Sequence, residues 1–214
     1  MRPTRLADLE TDRLLLRAPT DADLDAVFAV FSDPATQRHN PAGPLESREA
    51  AGHLLWRWQL HWARHGFGMW VVCRREAPEQ VLGFGGLSWR DYGGEQRLNL
   101  GFRLRPAAWG QGLATELGQA ALALAFGELG QDEVHALVRP DNLASRRVLE
   151  KLGLRGVGEL SDFPWLPASL VYRLGLDCQA GHPLASAPLH ARADAGLRTA
   201  GRPERTRGKT VLAA

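Results

Sequence analysis

The chain is poor in cysteine: Cys73 and Cys178 are the only two in 214 residues. Two thiols so far apart in sequence build neither a disulfide framework nor a metal-ligand cluster, so no metal site is expected and a reducing compartment is. Long hydrophobic runs are also missing. The longest, Ala120 to Phe126, falls well short of the roughly 20 apolar residues of a membrane span, so no membrane partner is expected. The opening Met-Arg-Pro-Thr-Arg-Leu-Ala-Asp-Leu-Glu carries early charges and no apolar core, which argues against a secretory signal and for a cytoplasmic location.

Hydrophobic residues make up 44% and charged residues 23% of the chain, ordinary values for one globular domain of this length. Charge is distributed unevenly. Residues 1–177 hold 20 Lys and Arg against 22 Asp and Glu, whereas 178–214 hold 6 against 2. That second segment has no aromatic residue and no apolar periodicity, so it buries too little to offset its ordering entropy. We read 1–177 as the domain and 178–214 as a basic, disordered tail. Basic residues without interleaved aromatics are more simply a solvated extension than an RNA-binding arm, and no nucleic-acid partner is expected.

Along the chain, Arg13 to Ala18 reads as a strand, and Thr20-Asp21-Ala22-Asp23 as a capping box opening a helix that Ser32-Asp33-Pro34 ends. A loop from Thr36 to Leu45 leads to a helix from Ser47 to Arg64 with Leu54, Leu55, Trp58 and Trp62 at core spacing. Strands follow at Phe67–Arg74, Gln80–Trp89 and Gln96–Leu104, the last two joined by Asp91-Tyr92-Gly93-Gly94. A helix at Ala114–Leu129, a strand at Glu133–Val138, a helix at Asn142–Leu152 and a strand at Ser169–Leu176 complete the pattern.

Between the fourth strand and the helix at Ala114 stands Trp109-Gly110-Gln111-Gly112-Leu113-Ala114. Glycines there leave a row of backbone N–H groups uncovered at the positive end of a helix, which is a phosphate-binding arrangement. A Walker loop would need Gly-Lys-Ser/Thr where Gly112-Leu113-Ala114 stands, and a dinucleotide fingerprint would need glycine at Thr115. The anion is therefore expected to be neither a triphosphate nor NAD.

Trp109-x-x-Gly112-x-Ala114, followed by Asn142-x-x-Ser145-x-x-Val148-x-x-Lys151-Leu152-Gly153, resembles the acetyl-CoA-binding core of the GNAT superfamily of N-acetyltransferases. Within it the pattern is similar to the bacterial ribosomal-protein N-terminal acetyltransferases, from Thr11-Asp12-Arg13 to Ala168–Leu174. The resemblance implies an α+β (mixed α/β) GNAT fold, with about six to seven strands, about four helices and splayed parallel strands four and five. It implies acetyl-CoA as cosubstrate and an amine-bearing small molecule or protein N-terminus as acceptor; a homodimer is left open.

Carried over by position, Phe102, Arg103 and Leu104 face the cofactor arm, with Leu104 N–H or its neighbour polarising the thioester carbonyl. Trp109, Gly110, Gln111, Gly112, Ala114 and Thr115 form the pyrophosphate turn, and Asn142 reaches the cofactor while capping its helix. The tyrosine usual in this family is replaced by Leu149, which leaves Ser145 as the hydroxyl to protonate the thiolate. A glutamate usual on strand four is replaced by Asn99, which cannot accept a proton but can hold a water. Glu95, Asp91, His65 and His135 are weaker candidates for a base. The acceptor is expected between 37–44 and 161–167, whose Arg38, His39, Asn40, Asp162, Phe163 and Trp165 lack the acidic cluster that would suit a polycation. A non-catalytic acyl-CoA sensor is the alternative, because both the glutamate and the tyrosine are absent.

Overall fold

Thr20-Asp21-Ala22-Asp23 opens the first helix by the mechanism its spacing predicts. In the computed structural model, which describes residues 8–176 and the dipeptide His190–Ala191, Thr20 N–H donates to Asp23 Oδ2 at 2.7 Å. The same carboxylate accepts from both terminal nitrogens of Arg17, at 2.8 and 2.5 Å, and is almost wholly buried. One short polar box thus fixes the end of a strand and the start of a helix.

The helices are α1 (Leu24–Phe31), α2 (Pro34–Gln37), α3 (Arg48–His65), α4 (Leu113–Ala123) and α5 (Leu143–Lys151). The strands are β1 (Asp8–Glu10), β2 (Leu14–Arg17), β3 (Met69–Arg74), β4 (Ala77–Asp91), β5 (Gln96–Leu104), β6 (Glu133–Val138), β7 (Arg155–Leu160), β8 (Ser169–Gly175) and β9 (His190–Ala191). They form one sheet in the order β7-β8-β6-β5-β4-β3-β2-β1-β9. Every neighbouring pair is antiparallel except β5 and β6. This is the mixed α/β architecture expected, and β5 and β6 are the parallel pair that the sequence reading, without β1, counts as strands four and five.

Three strands exceed the sequence reading, and each has a physical reason. β1 and β9 are too short to show a period, and β7 is exposed along most of its length, so it carries no apolar alternation. Pro34 begins α2 instead of only ending α1, because proline is tolerated at a first helical position and Asp33 caps Ala35 N–H at 2.8 Å. The boundary near Asp177, the rest of the tail at 178–214 and Cys178 lie outside the described residues.

Two apolar layers flank the sheet. On one face Leu14, Leu16, Trp70, Leu98, Leu100, Val134 and Ala136 pack with α4 and α5 residues such as Leu117, Ala121 and Leu149. On the other, Leu15, Val71, Cys73 and Phe84 meet Val27, Val30, Ala51 and Leu55 of α1 and α3. Gly118 lets α4 approach α5: a Cβ there would lie 2.3 Å from Leu152 Cδ1.

Asp23→Ala removes the carboxylate that accepts from Arg17 and from Thr20 N–H. Leaving a partly buried Arg17 without its partner is expected to cost about 3 kcal/mol, read as a lower urea midpoint at unchanged m-value; a loss under about 1 kcal/mol would show the pair to be solvent-screened.

Candidate functional site

The cleft follows from how β5 is hydrogen-bonded. β5 pairs with β4 in unbroken register from Asp91↔Gln96 to Gly83↔Leu104, but with β6 only at Asn99↔His135. Beyond that point the two parallel strands part. Arg105 N–H donates to Leu82 O at 2.8 Å, so by ladder alternation the odd-numbered residues of β5 bond to β4 and the even-numbered ones point away from it. Phe102 and Leu104 therefore aim their N–H groups into the gap, while Leu104 O is taken by Trp109 Nε1 at 2.7 Å. The backbone of Arg103 faces β4, and its part at the site is played by its side chain.

The glycine-rich turn closes the top of the gap. Gly110 and Gly112 adopt φ of 74° and 76°, a left-handed conformation that side chains with a Cβ resist. The N–H groups of Gln111, Gly112, Leu113 and Ala114 have no partner among the described residues, whereas those of Thr115 and Glu116 both donate to Gly112 O at 3.1 Å. Side chains from elsewhere hold this shape. Gln111 donates to Ala107 O at 2.7 Å and accepts from Arg74 at 2.8 Å. Arg13 donates to Gln111 O at 2.8 Å and pairs with Glu116 at 2.7 Å, and Glu116 also accepts from Thr11 Oγ1 at 2.6 Å. Burial alone would raise the Glu116 pKa; the bonds from Thr11 and Arg13 outweigh it and hold the carboxyl below its ordinary range. With Asp12, Thr115, Gln119 and Lys151, Arg13, Gly112 and Glu116 line an open cleft beside the turn.

Where the strands part, Asn99 and His135 are both buried. Tyr92 OH donates to Asn99 Oδ1 at 2.8 Å, and the Tyr92 ring packs on His135 with centroids 5.5 Å apart. Burial pushes the Tyr92 hydroxyl well above its usual pKa, so it stays a donor, and Asn99 keeps its amide N–H groups for other partners. Arg97 Nη1 lies 3.2 Å from His135 Nε2; an arginine can only donate, so Nε2 accepts and the proton sits on Nδ1. Burial lowers the His135 pKa, as Arg97 and Arg173 do, against the pull of Glu133. His135 is thus neutral with its lone pair engaged, and poorly suited to be a base.

The two loops expected to flank the acceptor, 37–44 and 161–167, each make polar contacts with other segments. His39 Nδ1 lies 3.2 Å from Asp141 Oδ2. Asp162 pairs with Arg139 at 3.2 Å and accepts from Ser169 Oγ at 3.0 Å, which pins the loop before β8. Asn142 caps α5 by accepting from Ser145 N–H at 3.1 Å, while the Ser145 hydroxyl, partly exposed, has no partner among the described residues. Leu149 is buried in the main core.

Against known proteins, residues 13–155 match the acetyltransferase (GNAT) domain. The chain belongs to this family. It is 33% identical over 158 residues to YoaA, an uncharacterized N-acetyltransferase of Bacillus subtilis, covering 72% of this chain and 86% of that one. Among solved structures, a GNAT-family acetyltransferase from Bordetella pertussis superposes with a TM-score of 0.67 at 27% identity, covering 78% of this chain and 98% of the other. A spermidine N-acetyltransferase from Vibrio cholerae in complex with CoA and spermine has a TM-score of 0.64 at 18% identity, over 78% and 98% of the two chains, and shares the fold. So do ribosomal-protein acetyltransferases of Vibrio species at 17% identity. No described helix of this GNAT protein is long and apolar enough to cross a membrane.

Of the residues read from the sequence, Phe102 and Leu104 lie on β5 beyond its last pairing with β6, Asn99 at that pairing, the 109–115 turn between β5 and α4, and Asn142 and Ser145 at the start of α5, the helix that follows β6. Sequence reasoning missed five contributors. Tyr92 looked like a turn residue, Gln37 like loop, and Arg74 like the end of a strand. Arg13 and Glu116 stand inside the matched segments, yet nothing in their separation signals an ion pair.

Because the folded Glu116 pKa is depressed, its stabilisation is present above about pH 4.3, the ordinary value, and is lost as pH falls through the folded one. Glu116→Gln should cost about 1–2 kcal/mol at pH 7 and progressively less on acidification, measured by urea unfolding at pH 7 and 3.5. A pH-independent difference would contradict the charged pairing.

Proposed function

We propose that this chain transfers the acetyl group of acetyl-CoA to a primary amine, a peptide or protein N-terminus or a small amine, by direct attack on the thioester. The observation that carries this reading is the parting of β5 from β6 below a turn whose N–H groups are free. The donor set fits a phosphorylated, amide-containing arm: anion donors at 111–114 and strand N–H groups at Phe102 and Leu104. Bound there, acetyl-CoA supplies an activated acyl group and a thiolate leaving group.

The chain's own residues divide the remaining work. Leu104 N–H, or that of Phe102, donates to the thioester carbonyl oxygen, where charge grows as the C–N bond forms. Ser145 gives its proton to the departing sulfur as the C–S bond breaks and is reprotonated from the ammonium proton released by the acceptor, through water. Asn99, held by Tyr92, donates from its amide to a water at the foot of the gap. Among the described residues two candidate bases are engaged: His135 is occupied by Arg97, and Glu95 is bound by the same arginine. The acceptor therefore arrives neutral, which favours an α-amine of pKa near 8 over a lysine near 10.4. With its buried, unpaired Cys73, whose thiol burial keeps protonated, the protein suits the reducing cytoplasm.

Thiol release from acetyl-CoA on adding amines and N-terminal peptides tests the reading directly, and release with none of them would favour an acyl-CoA sensor. Ser145→Ala should lower kcat by roughly 10²-fold with KM for acetyl-CoA little changed. The rate should climb about tenfold per pH unit below the acceptor's pKa. An unchanged kcat in Ser145→Ala would remove the acid role, and a profile flat from about pH 6 to 9 would reveal a base.

A further inference from the structure

We propose that the acceptor carries a carboxylate besides its amine, and that the Arg103 guanidinium is the group that reads it. This rests on the acetyl-transfer reading above.

Arg103 sits on the same face of β5 as Asn99, with Gly101 between them, so this stretch of the strand, about 13 Å long at strand rise, carries no intervening side chain. The guanidinium lies 5.1 Å above the Phe31 ring and donates through Nη1 to Gln37 Oε1. Gln37 is itself buried and fixed, because its Oε1 also accepts from Asn40 at 2.7 Å and its amide donates to Thr36 Oγ1 at 3.0 Å. The fork is thus preorganised on an aromatic plate by neutral groups, with most of its five N–H donors unspent.

Burial lowers the Arg103 pKa to about 10, which still leaves a full positive charge at neutral pH. A charge so placed calls for a counter-charge, and among the described residues none pairs with it. Two acids of the same half of the sheet are bound to other arginines, Asp162 to Arg139 and Arg90 and Glu133 to Arg97 and Arg173. The acceptor face is therefore arranged for an anion and against a polyamine. Arg103 acts here as a specificity-determining residue; a planar carboxylate offers it the bidentate partner that Gln37 and Phe31 leave open.

The test compares matched acceptors by thiol release with the full chain: amino acids against their amides, and peptides beginning with Asp against those beginning with Asn. The carboxylate member should be preferred at least tenfold in kcat/KM. Arg103→Gln should abolish the preference, mainly through acceptor KM, while the rise in Tm caused by acetyl-CoA is kept. Gln37→Glu, which supplies the carboxylate internally and keeps the charge, should abolish it too. Equal use of matched acceptors by the wild type, or a preference surviving in both variants, overturns the proposal while the activity stands. Loss of the acetyl-CoA shift in Arg103→Gln with unchanged selectivity assigns the guanidinium to the cofactor and also overturns it. Transfer to no amine at all refutes the activity itself, and the proposal with it.

Discussion

A β-strand's backbone donors and acceptors must be satisfied, and in this chain the sheet leaves some of them without a neighbour. β5 keeps β4 along its whole length but holds β6 only through Asn99↔His135. Above that pair the inward-pointing groups of Phe102 and Leu104 face a gap between two layers of core. Open backbone in the middle of a sheet is costly unless something fills the gap, and an extended, amide-bearing ligand arm satisfies the strand as another strand would. The proposed binding of acetyl-CoA rests on this local failure of pairing.

The rest of the site is built to keep that opening in shape. α4 starts from a turn with two left-handed glycines, and Thr11 and Arg13 of the β1–β2 turn and Arg74 of β3 hold it. Gly118 brings α4 against Leu152, so the helix carrying Ser145 is set relative to the turn by close packing. At the foot, Tyr92 orients Asn99, and Arg97 fixes the tautomer of His135. Gln37 and Phe31 position the Arg103 guanidinium, whose charge no described residue balances. An exception among these polar groups is His135 Nδ1, which is buried without a hydrogen-bond partner among the described residues.

Much of this was legible in the residues because local chemistry dictated it. The capping box at Thr20 and the glycine-rich turn each need only their own neighbours. Two motifs with the right separation were enough for the fold and for where β5 and β6 part. What stayed hidden depends on long-range contact. Tyr92 meets Asn99 only because of how the β4–β5 hairpin turns, and Gln37 meets Arg103 only because α2 folds over the sheet. β7, exposed along its length, leaves no periodic trace. Leu149 shows a further limit: the position looked like an empty catalytic slot, and the structure fills it as part of the core.

The central claim is that the gap between β5 and β6, capped by the free N–H groups of the turn, is the acyl-CoA site. A crystal structure of the full chain with acetyl-CoA tests it most directly. The account predicts the pyrophosphate within about 2.7–3.1 Å of N–H groups at 111–114, the pantetheine arm between the strands against Phe102 and Leu104, and the thioester near Asn99. Cofactor bound outside the gap, or β6 re-paired along β5 with the gap closed, would contradict it.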